Sequence, residues 1–311
     1  MRIYSADQVM RMLPMRDAIE AMRRGFIALS TGKASVPVRG VLPVNGNTTL
    51  TMPAYIHGSA VSVVKVISVY PGNAERGLPV VLGIVLVLDA DTGEVVALID
   101  GGALTALRTG AASGLATELL AVPDAHVLAV LGAGKQARTQ VEAVCAVRPI
   151  DHILVYSPRN AAAFADELRA RYGVEVAVTA NAKDAVHEAQ VVVAATNSST
   201  PVVRLEDVQP GVHINGVGSF RPEMQEIAAD VVQAAKIVVD HRASAWQEAG
   251  DLIIPRDLGL IHESDVYAEL GEIAAGLRPG RESAAEITFF KSVGNAVQDA
   301  AAAEKLIELA G

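Results

Sequence analysis

The chain has 311 residues, 51% of them hydrophobic and 20% charged, with a formal net charge of -9. That length suits about two domains, and so much apolar material builds a sizeable core rather than a disordered chain. The acidic balance, without runs of like charge, speaks against a nucleic-acid partner. A single cysteine, Cys145, rules out an internal disulfide framework and a cysteine-rich zinc site. Cys145 lies in the apolar stretch 141–147 and reads as a small buried hydrophobe.

In chain order, residues 14–31 carry apolar side chains at helical spacing (Ala18, Ile19, Met22, Phe26, Ile27), with Pro14 near the start and Gly32 just past the end. Short β-branched segments follow at 36–42, 48–52, 61–70, 81–90 and 95–100. Gly, Pro, Asn or Asp bounds each of them, which predicts a mostly antiparallel sheet. Asp91-Thr92-Gly93 reads as a hairpin turn. Residues 105–120 predict a long helix, rich in small residues that allow close packing on a neighbouring backbone.

The pattern changes at Pro123-Asp124. Apolar strands then alternate with helical segments: 127–131, 137–147, 153–156, 161–172, 174–178, 182–188, 191–195, 213–217 and 237–239. Continuous apolar strands between helices predict an α/β architecture, a parallel sheet covered on both faces. Residues 289–309 read as one long helix that returns to the first domain. No apolar run approaches the ~18 residues of a membrane helix, and the N-terminus lacks the apolar core of a signal peptide. These features predict a cytoplasmic protein with no membrane partner.

The strongest local signal is Val127-Leu128-Ala129-Val130-Leu131-Gly132-Ala133-Gly134-Lys135-Gln136-Ala137. It follows an apolar strand and opens a helix, the context that a Gly-x-Gly-x-x-Ala turn needs to hold a dinucleotide. Gly132 permits the tight turn, Gly134 lets the backbone approach a pyrophosphate, and Ala137 lets the helix pack on the strand. The free amides at the helix start, at Lys135 and Gln136, then attract phosphate. The second strand ends at Ser157-Pro158-Arg159-Asn160. An NAD site usually has an acidic residue here, for the ribose hydroxyl. A hydroxyl and a cation instead favour NADP(H), with NAD(H) as the other possibility. Thr196-Asn197 and Val217-Gly218 end later strands and complete the expected cofactor crevice. No metal ligand set is expected.

Four motifs occur in order: Lys65-Val66-Ile67-Ser68-Val69-Tyr70-Pro71-Gly72-Asn73, Leu104-Thr105-Ala106-Leu107-Arg108-Thr109-Gly110-Ala111, the glycine turn at 132–137, and Phe290-Lys291-Ser292-Val293-Gly294-Asn295-Ala296. With these, the whole chain resembles the ornithine cyclodeaminase/mu-crystallin family. The resemblance implies a Rossmann dinucleotide-binding domain (121–294) inserted in an α+β substrate and dimerisation domain (1–120 plus 295–311), and a homodimer. It also implies a basic substrate site of Arg39, Lys65 and Arg108, with Arg108 and Ser292 contributing to cofactor binding as well. The chemistry is consistent with that: arginine offers a planar fork to the carboxylate of an amino or imino acid. A lysine partly buried among valines has a lowered pKa suited to proton transfer.

One departure from the family pattern bears on the reaction. Phe220 stands where the cyclodeaminases and the alanine dehydrogenase relative carry a catalytic aspartate, and phenylalanine cannot move a proton. The stretch Phe220-Arg221-Pro222-Glu223 resembles the mu-crystallin/ketimine reductase branch, whose members reduce a preformed C=N bond. Arg221 is the expected partner of a second carboxylate, Glu223 and Glu226 are nearby acids that can stand in for the aspartate, and His57 reads as a loop histidine. The expected activity is NAD(P)H-dependent reduction of Δ1-pyrroline-2-carboxylate or Δ1-piperideine-2-carboxylate. The rival readings are ornithine cyclodeamination with tightly held NAD, amino-acid dehydrogenation, and a non-catalytic, crystallin-like ligand-binding protein.

Overall fold

The computed structural model describes residues 1–311, the side chain of Ala74 excepted. The chain forms two compact units, Met1–Arg108 with Asn295–Gly311, and Thr109–Gly294.

The first unit opens with β1 (Arg2–Tyr4) and α1 (Ala6–Met12). Ser5 starts α1 through a capping box with Gln8, which satisfies amides that the first turn leaves unpaired. α2 (Met15–Ser30) buries the stripe Ala18, Ile19, Met22 and Phe26. β2 (Ala34–Ser35), β3 (Gly40–Val44), β4 (Asn47–Ile56), β5 (Val61–Val69), β6 (Val81–Asp89) and β7 (Val95–Asp100) follow. They form a seven-stranded sheet in the order β1-β7-β6-β5-β4-β2, with β3 also paired to β4. All pairs are antiparallel except β1 with β7. The turn between β6 and β7 is built as the sequence predicts: Asp89 accepts from the Asp91 and Thr92 amides, and Gly93 takes φ +76°.

The single strand expected at 36–42 is not formed. Residues 36–39 connect β2 to β3 without strand pairing, since Pro37 has no amide to give a ladder. Arg39 therefore stands on an irregular connection rather than in a strand. α3 (Gly101–Leu120) is continuous across the boundary between the units. The sequence change at Pro123 marks the end of this helix, whereas the compact units divide within it. Its small residues serve close packing: a Cβ at Gly110 would lie 2.5 Å from the Thr139 carbonyl oxygen.

The second unit begins with β8 (Val127–Leu131), α4 (Lys135–Val147), β9 (His152–Tyr156), α5 (Ala161–Tyr172), β10 (Glu175–Val178), α6 (Ala182–His187), β11 (Val191–Ala194) and β12 (His213–Gly216). It continues through α7 (Ala229–Ala234), β13 (Lys236–Val239), α8 (Arg242–Glu248), α9 (Gly250–Asp257), β14 (Val266–Glu269), α10 (Leu270–Ala274) and β15 (Thr288–Lys291). The sheet has eight parallel strands in the order β10-β9-β8-β11-β12-β15-β13-β14. The strand order reverses beside β8, which is where open α/β sheets bind ligands. Both faces are covered, one by a cluster around Val141, Phe164 and Leu168, the other by one around Val231, Leu252 and Phe289.

Residues 289–309 correct the expectation of one helix. Thr288–Lys291 form β15, between β12 and β13, and all four are buried. A short apolar run reads equally as helix or buried strand, and the sheet decides. Gly294 then takes φ +89°, and Asn295 caps α11 (Ala296–Ala310) by accepting from the Val297 amide. α11 packs against α2, β4 and β5. A Cβ at Gly25 would lie 2.9 Å from that of Ala301, so glycine sets how closely these helices cross. Among the described residues, no helix is long and apolar enough to cross a membrane.

One buried acid ties two loops of the second unit together. Glu226 Oε1 accepts from the Thr196 amide after β11, and Oε2 accepts from the Gly218 and Ser219 amides after β12. Asp251 Oδ1 accepts from the Glu226 and Ile227 amides, while its Oδ2 accepts from Lys291 Nζ at 2.8 Å. Burial, then the neighbouring Asp251, pushes the Glu226 carboxyl above the usual range, and Lys291 opposes the shift. Glu226→Ala would strand three amide donors at once. It should lower unfolding stability by at least about 3 kcal/mol in chemical denaturation, with faster hydrogen exchange at residues 196, 218 and 219. Phe289→Ala, in the centre of the sheet, should cost about 3–5 kcal/mol in the same measurement.

Candidate active site

Lys65 lies mid-way along β5, flanked by Met52 on β4 and Val85 on β6. It is 1% exposed. Its Nζ donates to Thr105 Oγ1 on α3 at 2.6 Å and to Asp299 Oδ1 on α11 at 3.2 Å. The Thr105 hydroxyl hydrogen is committed to the Gly101 carbonyl, so its oxygen is free to accept. Asp299 Oδ2 also accepts from Nζ, at 3.5 Å, the longest of the three contacts and so the one a ligand most readily displaces. Burial first pulls the Lys65 pKa down from 10.5 to about 8, aided by the Arg108 and Arg39 charges, while Asp299 pulls it back up.

Arg108, 5% exposed, comes from the same helix as Thr105, one turn on. Its Nη1 donates to Gln298 Oε1, and its Nε lies 3.5 Å from Asp299 Oδ1, near enough for ion pairing but not aligned for a hydrogen bond. Gln298 Oε1 also accepts from the Asn295 amide, so the helix cap and the arginine share one oxygen. Arg39 is half-buried and close enough for its charge to act on Lys65. The first unit thus gathers Lys65 and Arg108 around the Asp299 carboxylate, with the Arg39 charge also acting on Lys65. The arrangement carries surplus positive charge, which suits an anionic ligand, and holds an ammonium able to give up a proton near neutral pH.

The second unit carries the glycine turn. Gly132 takes φ +106°, and a side chain there would lie 2.5 Å from the Ala195 carbonyl oxygen. Gly134 caps α4 with no side-chain hydrogen bond, has open space where a Cβ would stand, and is followed by no acidic residue in the first turn. Lys135 and Gln136 open the helix, and Ala137 is fully buried against the sheet. An uncapped thirteen-residue helix start beside an open glycine cradle fits a pyrophosphate. Arg138 fixes the turn from behind, donating to the Ala133 and Gly134 carbonyls and pairing with Glu167. After β9, Ser157 Oγ donates to the Arg159 carbonyl at 2.7 Å, and Asn160 adopts φ +63°, leaving Arg159 and Asn160 exposed.

The remaining sequence-singled residues fall into three kinds. Thr196 and Gly218 belong to the loops bridged by Glu226, with Asn197 exposed and Val217 buried beside them. Ser292 is 2% exposed and spends its hydroxyl on Asp240 Oδ2, which also accepts from the Val293 and Gly294 amides. Phe220 is 46% exposed with the Arg221 guanidinium over its ring, and Glu223 is exposed. Glu226 is fully buried with both oxygens held by amides, so it anchors loops rather than replacing the missing aspartate. His57 is exposed and hydrogen-bonded to Ser35.

Sequence reasoning missed Asp299, the acid in contact with Lys65. Its signal was present: Asp299 lies on the α11 face shared with Ala296, Ala300 and Ala303, all buried, where an unpartnered carboxylate is costly. It also missed Asp240 and Asp251, whose roles depend on which loops the strands bring together.

A sequence profile of the ornithine cyclodeaminase/mu-crystallin family matches residues 1–310. The chain is 42% identical to a Δ1-pyrroline-2-carboxylate reductase of Bacillus cereus, over 100% of this chain and 97% of that protein. Among solved structures, it matches Thermococcus litoralis Δ1-pyrroline-2-carboxylate reductase in complex with NADH and L-proline, with a TM-score of 0.95 and 41% identity, over 100% of this chain and 97% of that one. An archaeal alanine dehydrogenase dimer with bound NAD matches with a TM-score of 0.93 and 35% identity, over 99% and 95%. With the family profile matched over almost its whole length, the chain belongs to the ornithine cyclodeaminase/mu-crystallin family.

Proposed function

We propose that the protein is an NAD(P)H-dependent reductase of small cyclic imino acids, converting Δ1-pyrroline-2-carboxylate to L-proline and Δ1-piperideine-2-carboxylate to L-pipecolate. The observation that carries this reading is the buried Lys65 ammonium, held by Thr105 and Asp299 beside Arg108, with the Arg39 charge acting on it. The similarity to two Δ1-pyrroline-2-carboxylate reductases supports it.

Reduction of a C=N bond adds a hydride to carbon and a proton to nitrogen. A reduced nicotinamide, when bound, supplies the hydride. Arg108 and Arg39 hold the substrate carboxylate and so fix the ring's orientation. Lys65 gives its proton to the imine nitrogen, becomes a neutral amine, and is recharged from solvent. Asp299 and Thr105 keep its side chain in place throughout. The amides at the start of α4 and the cradle at Gly134 hold the pyrophosphate. Cyclodeamination is disfavoured by the residues themselves, since the exposed Phe220 offers no base for the amine proton that must leave before oxidation.

NADPH is the preferred reductant in this reading, because the exposed Arg159 and the Ser157 turn stand where an NAD site places a carboxylate. The protein acts as a homodimer joined through its first unit. That unit exposes Val41, Leu42, Val81, Leu82 and Ile84, all 45% exposed or more, an apolar surface of the kind partners cover.

Lys65→Met should lower kcat for Δ1-pyrroline-2-carboxylate by about 10²–10⁴-fold in an NADPH absorbance assay while leaving NADPH affinity by calorimetry within a few-fold. Wild-type kcat should fall as pH rises through about 8, where Lys65 loses its proton, once the substrate's own imine titration is accounted for. Arg159→Ala should reduce the NADPH-over-NADH preference in kcat/KM by about 10-fold. No cofactor oxidation with either imino acid would overturn the proposed activity.

A further inference from the structure

We propose that Asp299 is the positioning residue of the cationic site: its buried carboxylate, shared between the Lys65 ammonium and the Arg108 guanidinium, aims both at the substrate. This inference rests on the reductive reading above and names the group on which the proton donor depends.

The geometry comes first. Asp299 is 0% exposed and projects from the first turn of α11, the end where the helix dipole favours a negative charge. Its Oδ1 is shared between Lys65 Nζ at 3.2 Å and Arg108 Nε at 3.5 Å. One oxygen thus links β5 to α3, the two elements that carry the proton donor and the carboxylate fork. Asn295, the cap of α11, and Gln298, the partner of Arg108, lie in the same turn. Helix start, arginine orientation and lysine orientation are therefore set together.

Charge comes second. The groups acting on Lys65 are Asp299 from α11, Arg108 from α3 and Arg39 from the connection before β3, while its neighbours on β4 and β6 are Met52 and Val85. Burial and both arginines favour the neutral amine, and Asp299 is the opposing charge. Without it, three cations would face one another in a dry site and Lys65 would shed its proton, leaving nothing to give to the imine. With it, Lys65 stays an ammonium and has a proton to give.

The test compares wild type, Asp299→Asn and Asp299→Glu in two ways. One is the pH profile of kcat and KM for Δ1-pyrroline-2-carboxylate reduction. The other is NMR titration of ¹³C-lysine-labelled protein, with the Lys65 signal assigned through Lys65→Met. The expected wild-type Lys65 midpoint is about 8. In Asp299→Asn it should move to lower pH by about one unit or more, carrying the alkaline limb of kcat with it. KM should change far less than kcat, and Asp299→Glu should restore most of the wild-type profile. A merely structural aspartate would alter stability without moving the titration. If Asp299→Asn leaves the Lys65 midpoint and the kcat limb where they are, the inference is overturned. If Asp299→Asn does not fold, a wild-type Lys65 midpoint at the ordinary 10.5, or an Asp299→Glu profile that departs from wild type, overturns it. The NMR titration needs no substrate. A shifted midpoint in a protein that reduces no imino acid would therefore uphold Asp299 and sink the proposed activity instead.

Discussion

A lysine ammonium held in the middle of a β-sheet is the constraint around which the first unit is arranged. Taking Lys65 out of water is costly, and only groups brought from elsewhere in the chain offset that cost. Thr105 comes from α3 and Asp299 from α11, 234 residues away in sequence. Removing one partner of such a buried pair typically costs about 3–5 kcal/mol. This accounts for the C-terminal helix belonging to the first unit: the sheet carries the cation, and α11 brings the anion it needs. The close approach of α11 to α2 at Gly25 and Ala301 serves the same placement.

The second unit solves a different problem with the same means. Side chains buried beneath its strand-end loops hold those loops in shape. Glu226 bridges the loops after β11 and β12, and Asp240 gathers the turn after β15. Asp251 and Lys291 complete a buried charged chain beneath the first of these. Glu226, which the sequence offers as a stand-in for the missing aspartate, is here spent on backbone amides. In the glycine turn the Gly132 amide donates to the Tyr156 carbonyl, and the start of α4 is left without a side-chain cap.

Local rules made much of this readable. The stripe of α2, the hairpin at Asp89–Gly93 and the strand-turn-helix around Gly132 each depend on neighbours in sequence, and each formed as the pattern predicts. The family likeness brought Arg39, Lys65 and Arg108 forward together, and in the structure both arginine charges act on Lys65. What was hidden depends on long-range pairing. Phe289 and Phe290 look helical until β12 and β13 flank them. Asp299 looks like a surface residue of an alanine-rich helix until Lys65 is opposite it. Glu226 looks like a spare acid until the loops at 196 and 218 close on it. In each case the sequence names the side chain, while the partner that fixes its role comes from far along the chain.

In the proposed reaction the cationic cluster of the first unit receives the imino-acid carboxylate and gives the imine its proton. A crystal structure of the protein with NADP⁺ and L-proline would decide whether it does. The proline carboxylate should lie against Arg108 and Arg39, and the ring nitrogen within hydrogen-bond reach, about 3 Å, of Lys65 Nζ. Proline bound away from Lys65, or with its carboxylate turned from both arginines, would contradict it.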